Sequence, residues 1–270
     1  MALEIIKEQL CAYSISWRST HQLIVAKDTD HDFSNPIGWG SGFYLRVNEK
    51  CVFVTADHVV HMEDHEVGER TGVENCIAIM TQYKCDELQT PILPIGELNT
   101  FESFDITDEI TDEAGNLVYI PELIDVAFKI FENDIIPIRM SPLSIDGVEF
   151  VKDGDYDIVI SESACRDITS NDYCLITGRV HTKISGLMIK SDLTIYQDIK
   201  YLRTDSDGNF ILSYTGPVVH DDWAGLSGAP VITDSQFCIG MIIEINENDN
   251  TLKVMPITYI LRLIRAAMKV

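Results

Sequence analysis

No apolar run in the chain approaches the roughly 18 residues that a membrane-spanning helix needs. The first residues, MALEIIKEQLCAYSISW, carry charges where a secretory signal peptide has its apolar region. Neither a membrane span nor a cleaved leader is expected, and the chain reads as cytoplasmic. Basic residues are scarce: 20 Lys and Arg stand against 43 Asp and Glu, a formal net charge of −23. That sign repels phosphate backbones and no local basic patch offsets it, which argues against nucleic acid as a partner; it attracts basic peptides and also serves solubility. No Cys-x-x-Cys pair occurs among the seven cysteines, Cys11, Cys51, Cys76, Cys85, Cys165, Cys174 and Cys238. An odd, scattered set without a secretory signal argues for reduced thiols packed as small hydrophobes, against a disulfide framework or a cysteine zinc site. No metal or other cofactor is called for.

What the chain does have is 270 residues, 46% of them apolar, enough for one large core or two small ones. Short runs rich in β-branched and aromatic residues recur at 42–47, 51–55, 76–80, 124–131, 156–160, 173–177, 210–214, 229–233 and 238–245. Turn residues separate them, as in Val47-Asn48-Glu49-Lys50 and Asp207-Gly208-Asn209, so antiparallel barrels or sandwiches are expected rather than β-α-β units. Only two segments read as helical: a short stretch after His58, and 258–270, whose apolar stripe suits a terminal helix packed on a barrel. The acid-rich stretch 97–122 reads as a long surface loop or hairpin. Pro137, Pro142 and Gly147 interrupt the strand pattern near the middle, which divides the chain into 1–140 and 141–270.

Three local signals carry chemistry. Gly225-Leu226-Ser227-Gly228-Ala229-Pro230 opens directly onto the apolar run Val231-Ile232. A serine hydroxyl is a weak nucleophile, so it must be held in an exposed tight turn with backbone N–H groups aimed at the developing oxyanion. Taken alone, the same string also fits a glycine-rich turn. Val52-Phe53-Val54-Thr55-Ala56-Asp57-His58 places a histidine just past a buried strand, behind Gly40-Ser41-Gly42-Phe43. In Ile124-Asp125-Val126-Ala127-Phe128 one carboxylate interrupts an apolar run and needs a buried partner. A buried acid, a strand-end histidine and a glycine-flanked serine are the groups that acyl transfer requires. Asp57, adjacent to the histidine, is rejected as that acid because neighbours on an extended strand point to opposite faces.

Thr-Ala-x-His, then Asp-Val-Ala, then Gly-x-Ser-Gly-x-Pro, in that order, resembles the trypsin-like (chymotrypsin-fold) serine peptidases, over most of the chain from about Gly38 onward. The resemblance implies an all-β fold of two six-stranded antiparallel barrels with a C-terminal α-helix. It implies that His58 and Asp125 come from the first half and Ser227 from the second. In these roles His58 is general base, Asp125 orients it, Ser227 is nucleophile, and the N–H groups of Gly225 and Ser227 form the oxyanion hole. The substrate is then a protein or peptide. Asp221, six before the nucleophile, is the candidate base of the substrate pocket and would favour Lys or Arg; as a bare sequence feature it is equally part of a solvated acidic loop.

Several positions depart from the secreted digestive relatives. Leu226 replaces the aspartate that pairs with a newly cut N-terminus, and no Ile-Val-Gly-Gly start is visible, so control is expected from a protein partner, a ligand or a loop. Val59 and Trp223 replace cysteines, which places the chain nearer the bacterial and intracellular branch, and Ile243 stands where a serine commonly supports the triad acid. Three other readings compete. His58, His61 and His65 have helical spacing for a metal; a silent peptidase fold would recruit a partner; an esterase would use the same triad but needs strand–helix alternation that is missing.

Overall fold

The computed structural model describes residues 12–80, 92–104, 110–111, 117–118, 121–132, 143–145, 148–151, 157–185 and 188–269. The parts of the predicted acidic loop at 105–109, 112–116 and 119–120 lie outside the described residues.

Helix α1, residues 12–19, leads into a large antiparallel sheet. In chain order come β1 (His21–Lys27), β2 (Gly38–Val47), β3 (Lys50–Thr55), helices α2 (Asp57–Val60) and α3 (Met62–Val67), then β4 (Asn75–Met80), β5 (Ile92–Pro94) and β6 (Asn99–Phe104). A two-stranded ribbon, β7 (Ile110–Thr111) and β8 (Leu117–Val118), precedes β9 (Pro121–Ile130). β2 and β3 form a hairpin closed by Asn48 and Glu49, whose φ values of 47° and 64° give the two-residue turn that matches strand twist. β3 buries both its faces, which explains its unbroken apolar run.

After a hairpin of β10 (Leu143–Ile145) and β11 (Val148–Val151), β12 (Val159–Ser161) pairs in parallel with β2. The second half then runs β13 (Tyr173–Ser185), β14 (Met188–Thr204), β15 (Phe210–Ser213), helix α4 (His220–Trp223), β16 (Pro230–Thr233), β17 (Cys238–Asn246), β18 (Thr251–Pro256) and helix α5 (Ile257–Ala267). Six of these strands close into a barrel in the order β13-β14-β15-β18-β17-β16.

The fold is the all-β architecture expected, with one correction. Among the described residues the first half is a sheet in the order β5-β4-β1-β2-β3-β9-β6, with β12 added at β2, and not a closed six-stranded barrel. Among the described residues no ladder joins β5 to β6.

Two helices tie the two cores together. α5 buries Ile257, Ile260, Leu261 and Ile264, and that stripe packs into the first-half core beside Phe43, Val52 and Phe128. α1 goes the other way: the Ser16 and Thr20 hydroxyls lie 3.0 and 3.4 Å from Thr177 Oγ1 on β13. α1 was not expected from the sequence. Its Ser, Ile, Trp and Tyr content is poor in helix formers, so its helicity is owed to tertiary packing. No helix among the described residues is long and apolar enough to cross a membrane.

Candidate active site

His58 sits where β3 ends and the chain turns at Ala56 into α2. Its Nδ1 lies 2.8 Å from Asp125 Oδ2 and 3.0 Å from Oδ1, and its backbone N–H donates to Oδ1 at 2.9 Å. Asp125 is aimed by an irregularity in β9. Thr100 pairs with Ala127 and Phe101 with Ile124, so Asp125 and Val126 have no partner on β6. A bulge of this kind bends a strand and redirects its side chains. Both groups keep some exposure, 31% for the histidine side chain and 20% for the aspartate. Burial alone would lower the imidazole pKa; the hydrogen bond and charge of Asp125, with smaller contributions from Asp57 and Glu244, outweigh it and raise it above the ordinary value.

Asp57 does point away from this pair, for a different reason from the one read in the sequence: it opens helix α2 instead of continuing a strand. Its fully buried carboxylate binds His61 Nδ1 at 2.7 Å, His65 Nε2 at 3.0 Å and Arg70 at 2.7 Å. Burial opposes ionisation of Asp57, yet the hydrogen bonds from His61 and His65 and the Arg70 charge prevail and hold its pKa at about 2. The three histidines considered as metal ligands are thus divided between two aspartates. His58 and His65 meet edge-to-face at 6.0 Å, and among the described residues the three do not bring ligand atoms close enough for one ion.

Ser227 lies on a loop of unusual backbone. Ala224 has φ −59° and ψ 125°, Gly225 has φ +100°, and the Leu226 N–H donates to Trp223 O at 3.1 Å, which is a type II turn. Gly225 is required there twice over, since an added Cβ would also stand 2.8 Å from Arg179 O. The Gly228 N–H donates to Ile242 O at 2.9 Å, and the Ala229 N–H to Leu226 O at 2.8 Å. Among the described residues the N–H groups of Gly225 and Ser227 have no internal acceptor.

The loop is fastened to the first half at one residue. The Ser41 N–H donates to Ser227 O at 2.8 Å, and its Oγ donates to Gly225 O at 2.7 Å. Thr55 Oγ1 in turn donates to Ser41 O at 2.7 Å, three residues before His58. Ser41 therefore couples the Ser227 turn to the end of the histidine strand. Sequence reasoning quoted Ser41 within Gly40-Ser41-Gly42 but gave it no role.

Leu226 is fully buried in the second core with Ile176, Val180 and Trp223, and it occupies the space left by Gly178. Leu226→Ala is expected to cost about 2–5 kcal/mol by denaturant unfolding; a loss under about 1 kcal/mol would mean that the hydrogen bonds alone hold the turn. Trp223 stacks on Tyr196 at 3.8 Å and meets Tyr214 edge-on at 5.5 Å, so aromatic packing secures α4. Ile243 is partly buried against the first core.

Asp221 is on α4 with its side chain 93% exposed, 3.8 Å from His220 Nδ1. It stands at the rim of an open cleft lined by Trp39, His181, Asp222 and Gly225, not at the floor of a closed pocket. The cleft runs directly to the Gly225 turn.

No protein-family model matches the sequence, and a search of curated proteins finds no match. Among solved structures the chain is similar to the serine endoprotease from Yersinia pestis, at 12% identity and a TM-score of 0.50 over 96% of this chain and 66% of that one. It also aligns with a HtrA-type protease solved with a tripeptide, at 13% identity and a TM-score of 0.46 over 95% of this chain and 62% of that one. This chain thus spans less than two thirds of the length of either. Likeness at such low identity speaks to architecture alone, and the architecture is the chymotrypsin-type fold of the trypsin-like serine peptidases.

Proposed function

We propose that this chain is a serine endopeptidase in which Ser227, His58 and Asp125 form the catalytic triad. The observation that carries the reading is the coupling through Ser41 on β2: it is bonded both to the glycine-flanked serine turn and, through Thr55, to the strand whose end presents a histidine already paired with a carboxylate. His58 takes the proton from Ser227 Oγ as it attacks a peptide carbonyl and returns it to the leaving amine, while Asp125 holds the Nδ1–H tautomer and stabilises the imidazolium. The N–H groups of Gly225 and Ser227 receive the oxyanion, each worth roughly 3 kcal/mol in comparable sites. Water then releases the acyl group by the same proton path in reverse.

The acidic rim at Asp221 and Asp222 favours substrates with Lys or Arg near the scissile bond, acting at the mouth of the cleft, where solvent screens it. Because Leu226 cannot take part in an activating ion pair, restraint on activity falls to narrow specificity or to a partner protein.

The deciding experiment treats wild-type protein and Ser227→Ala with a fluorophosphonate probe and a mixed peptide library, read by mass spectrometry. Labelling and cleavage in the wild type that both vanish in Ser227→Ala are expected. Absence of labelling in the wild type under all conditions tried would leave a silent peptidase fold that recruits partners.

A further inference from the structure

We propose a divalent-metal site of zinc type formed by Asp28, His31 and Cys76 at the edge of the first sheet, separate from the triad. One carboxylate oxygen, one imidazole nitrogen and one thiol sulfur lie within 4.8 Å of one another. His31 Nδ1 is 3.3 Å from Cys76 Sγ. A tetrahedral zinc with Zn–S near 2.3 Å and Zn–N near 2.0 Å holds such a pair about 3.5 Å apart, so these two atoms already have the spacing of adjacent ligands. Mixed sulfur, nitrogen and oxygen donors select zinc or cobalt over calcium or magnesium, which prefer oxygen alone.

The fold explains why the three meet. The β1–β4 ladder sets Ala26 opposite Cys76 and Lys27 opposite Asn75, so the chain leaving β1 passes directly beside the cysteine. The following loop is held in shape without any ion. The Asp30 carboxylate accepts from the Ser34 N–H at 3.1 Å, the Ser34 hydroxyl at 3.0 Å and the Asn35 N–H at 2.7 Å. Phe33 is buried with Ile24, Ala78 and Met80, which pins the loop next to His31. Asp28 and His31 are exposed and Cys76 is half-buried, so an ion reaches the site from solvent and water completes its coordination. The same loop continues into Gly38 and Trp39, which line the cleft beside Gly225, and an ion would clip that wall to β4.

The test is a Co²⁺ titration of the reduced, metal-free full chain, followed by displacement with Zn²⁺. The expected result is a single equivalent giving tetrahedral visible bands and a thiolate-to-cobalt charge-transfer band. That band is expected to vanish in Cys76→Ser, while affinity falls at least about ten-fold in His31→Gln and in Asp28→Asn. Cys165→Ser is the control and leaves binding unchanged. Zn²⁺ is also expected to raise the thermal midpoint of the wild type but not of Cys76→Ser. A charge-transfer band that survives Cys76→Ser, or only the weak octahedral spectrum of scattered carboxylates, overturns the proposal and leaves an imidazole–thiol hydrogen bond.

Discussion

Asp125→Asn is expected to lower the maximal rate of peptide hydrolysis about 10⁴-fold while the protein stays folded. Asp125 Oδ1 accepts the His58 backbone N–H, a bond that the carboxamide oxygen of the variant can keep, so the turn persists. The second oxygen, 2.8 Å from Nδ1, becomes an N–H₂ group that can only donate. Nδ1 must then be the bare acceptor, the proton moves to Nε2, and the ring cannot take a proton from Ser227. Substrate affinity is untouched by this change, so kcat falls and KM barely moves.

The same variant has a signature in pH. The wild-type imidazole pKa is raised, and the base works only when neutral, so kcat/KM is expected to climb with pH through a value above the ordinary 6.5 or so. Removing the Asp125 charge leaves burial, which favours the neutral ring, opposed only by the smaller contributions of Asp57 and Glu244, so the acid limb shifts to lower pH in the residual activity. An inflection that does not move, with a rate within ten-fold of wild type, would detach Asp125 from the chemistry.

The second large effect is predicted at Gly228. Its φ of +89° is rare for any side chain, and a Cβ there would lie 2.0 Å from Ser41 O and 2.6 Å from Thr55 Oγ1. Gly228→Ala must therefore push the Ser227 turn off the Ser41–Thr55 joint, at a cost of roughly 2–6 kcal/mol, and fluorophosphonate labelling is expected to be lost. Gly208→Ala separates the two contributions. That residue has a similar φ of +85° but nothing within 4 Å, so only backbone strain of about 1 kcal/mol is expected, with labelling intact. Equal stability of the two variants would show that the joint is not what holds the serine turn.

Much of the strand pattern was legible because it is local. Asn48-Glu49 announces a hairpin whatever the rest of the chain does, and the apolar stripe of α5 announces a helix with one buried face. α1 escaped detection because its residues favour no helix on their own. The edge-to-edge arrangement of the first sheet escaped as well, since it depends on which strands find each other across the sequence, and among the described residues β5 pairs with β4 and not with β6.

The site divides in the same way. Glycines flanking Ser227 and a histidine after an apolar strand are statements about local backbone, and they stand in the sequence by themselves. The direction of a side chain is not local. Asp57 and Asp125 are both acids available to His58, and only the α2 turn and the β9 bulge send one toward the imidazole and the other toward His61, His65 and Arg70. Asp221 ends on an exposed rim because α4 presents it there. The role of Ser41 exists only once it meets the Ser227 turn, 184 residues further along the chain at Gly225. Sequence determined the residue types, the order and the short-range geometry, because turns and strands are set by neighbours a few residues apart. Tertiary structure decided which carboxylate, which hydroxyl and which loop meet, because those encounters follow from packing two cores against each other.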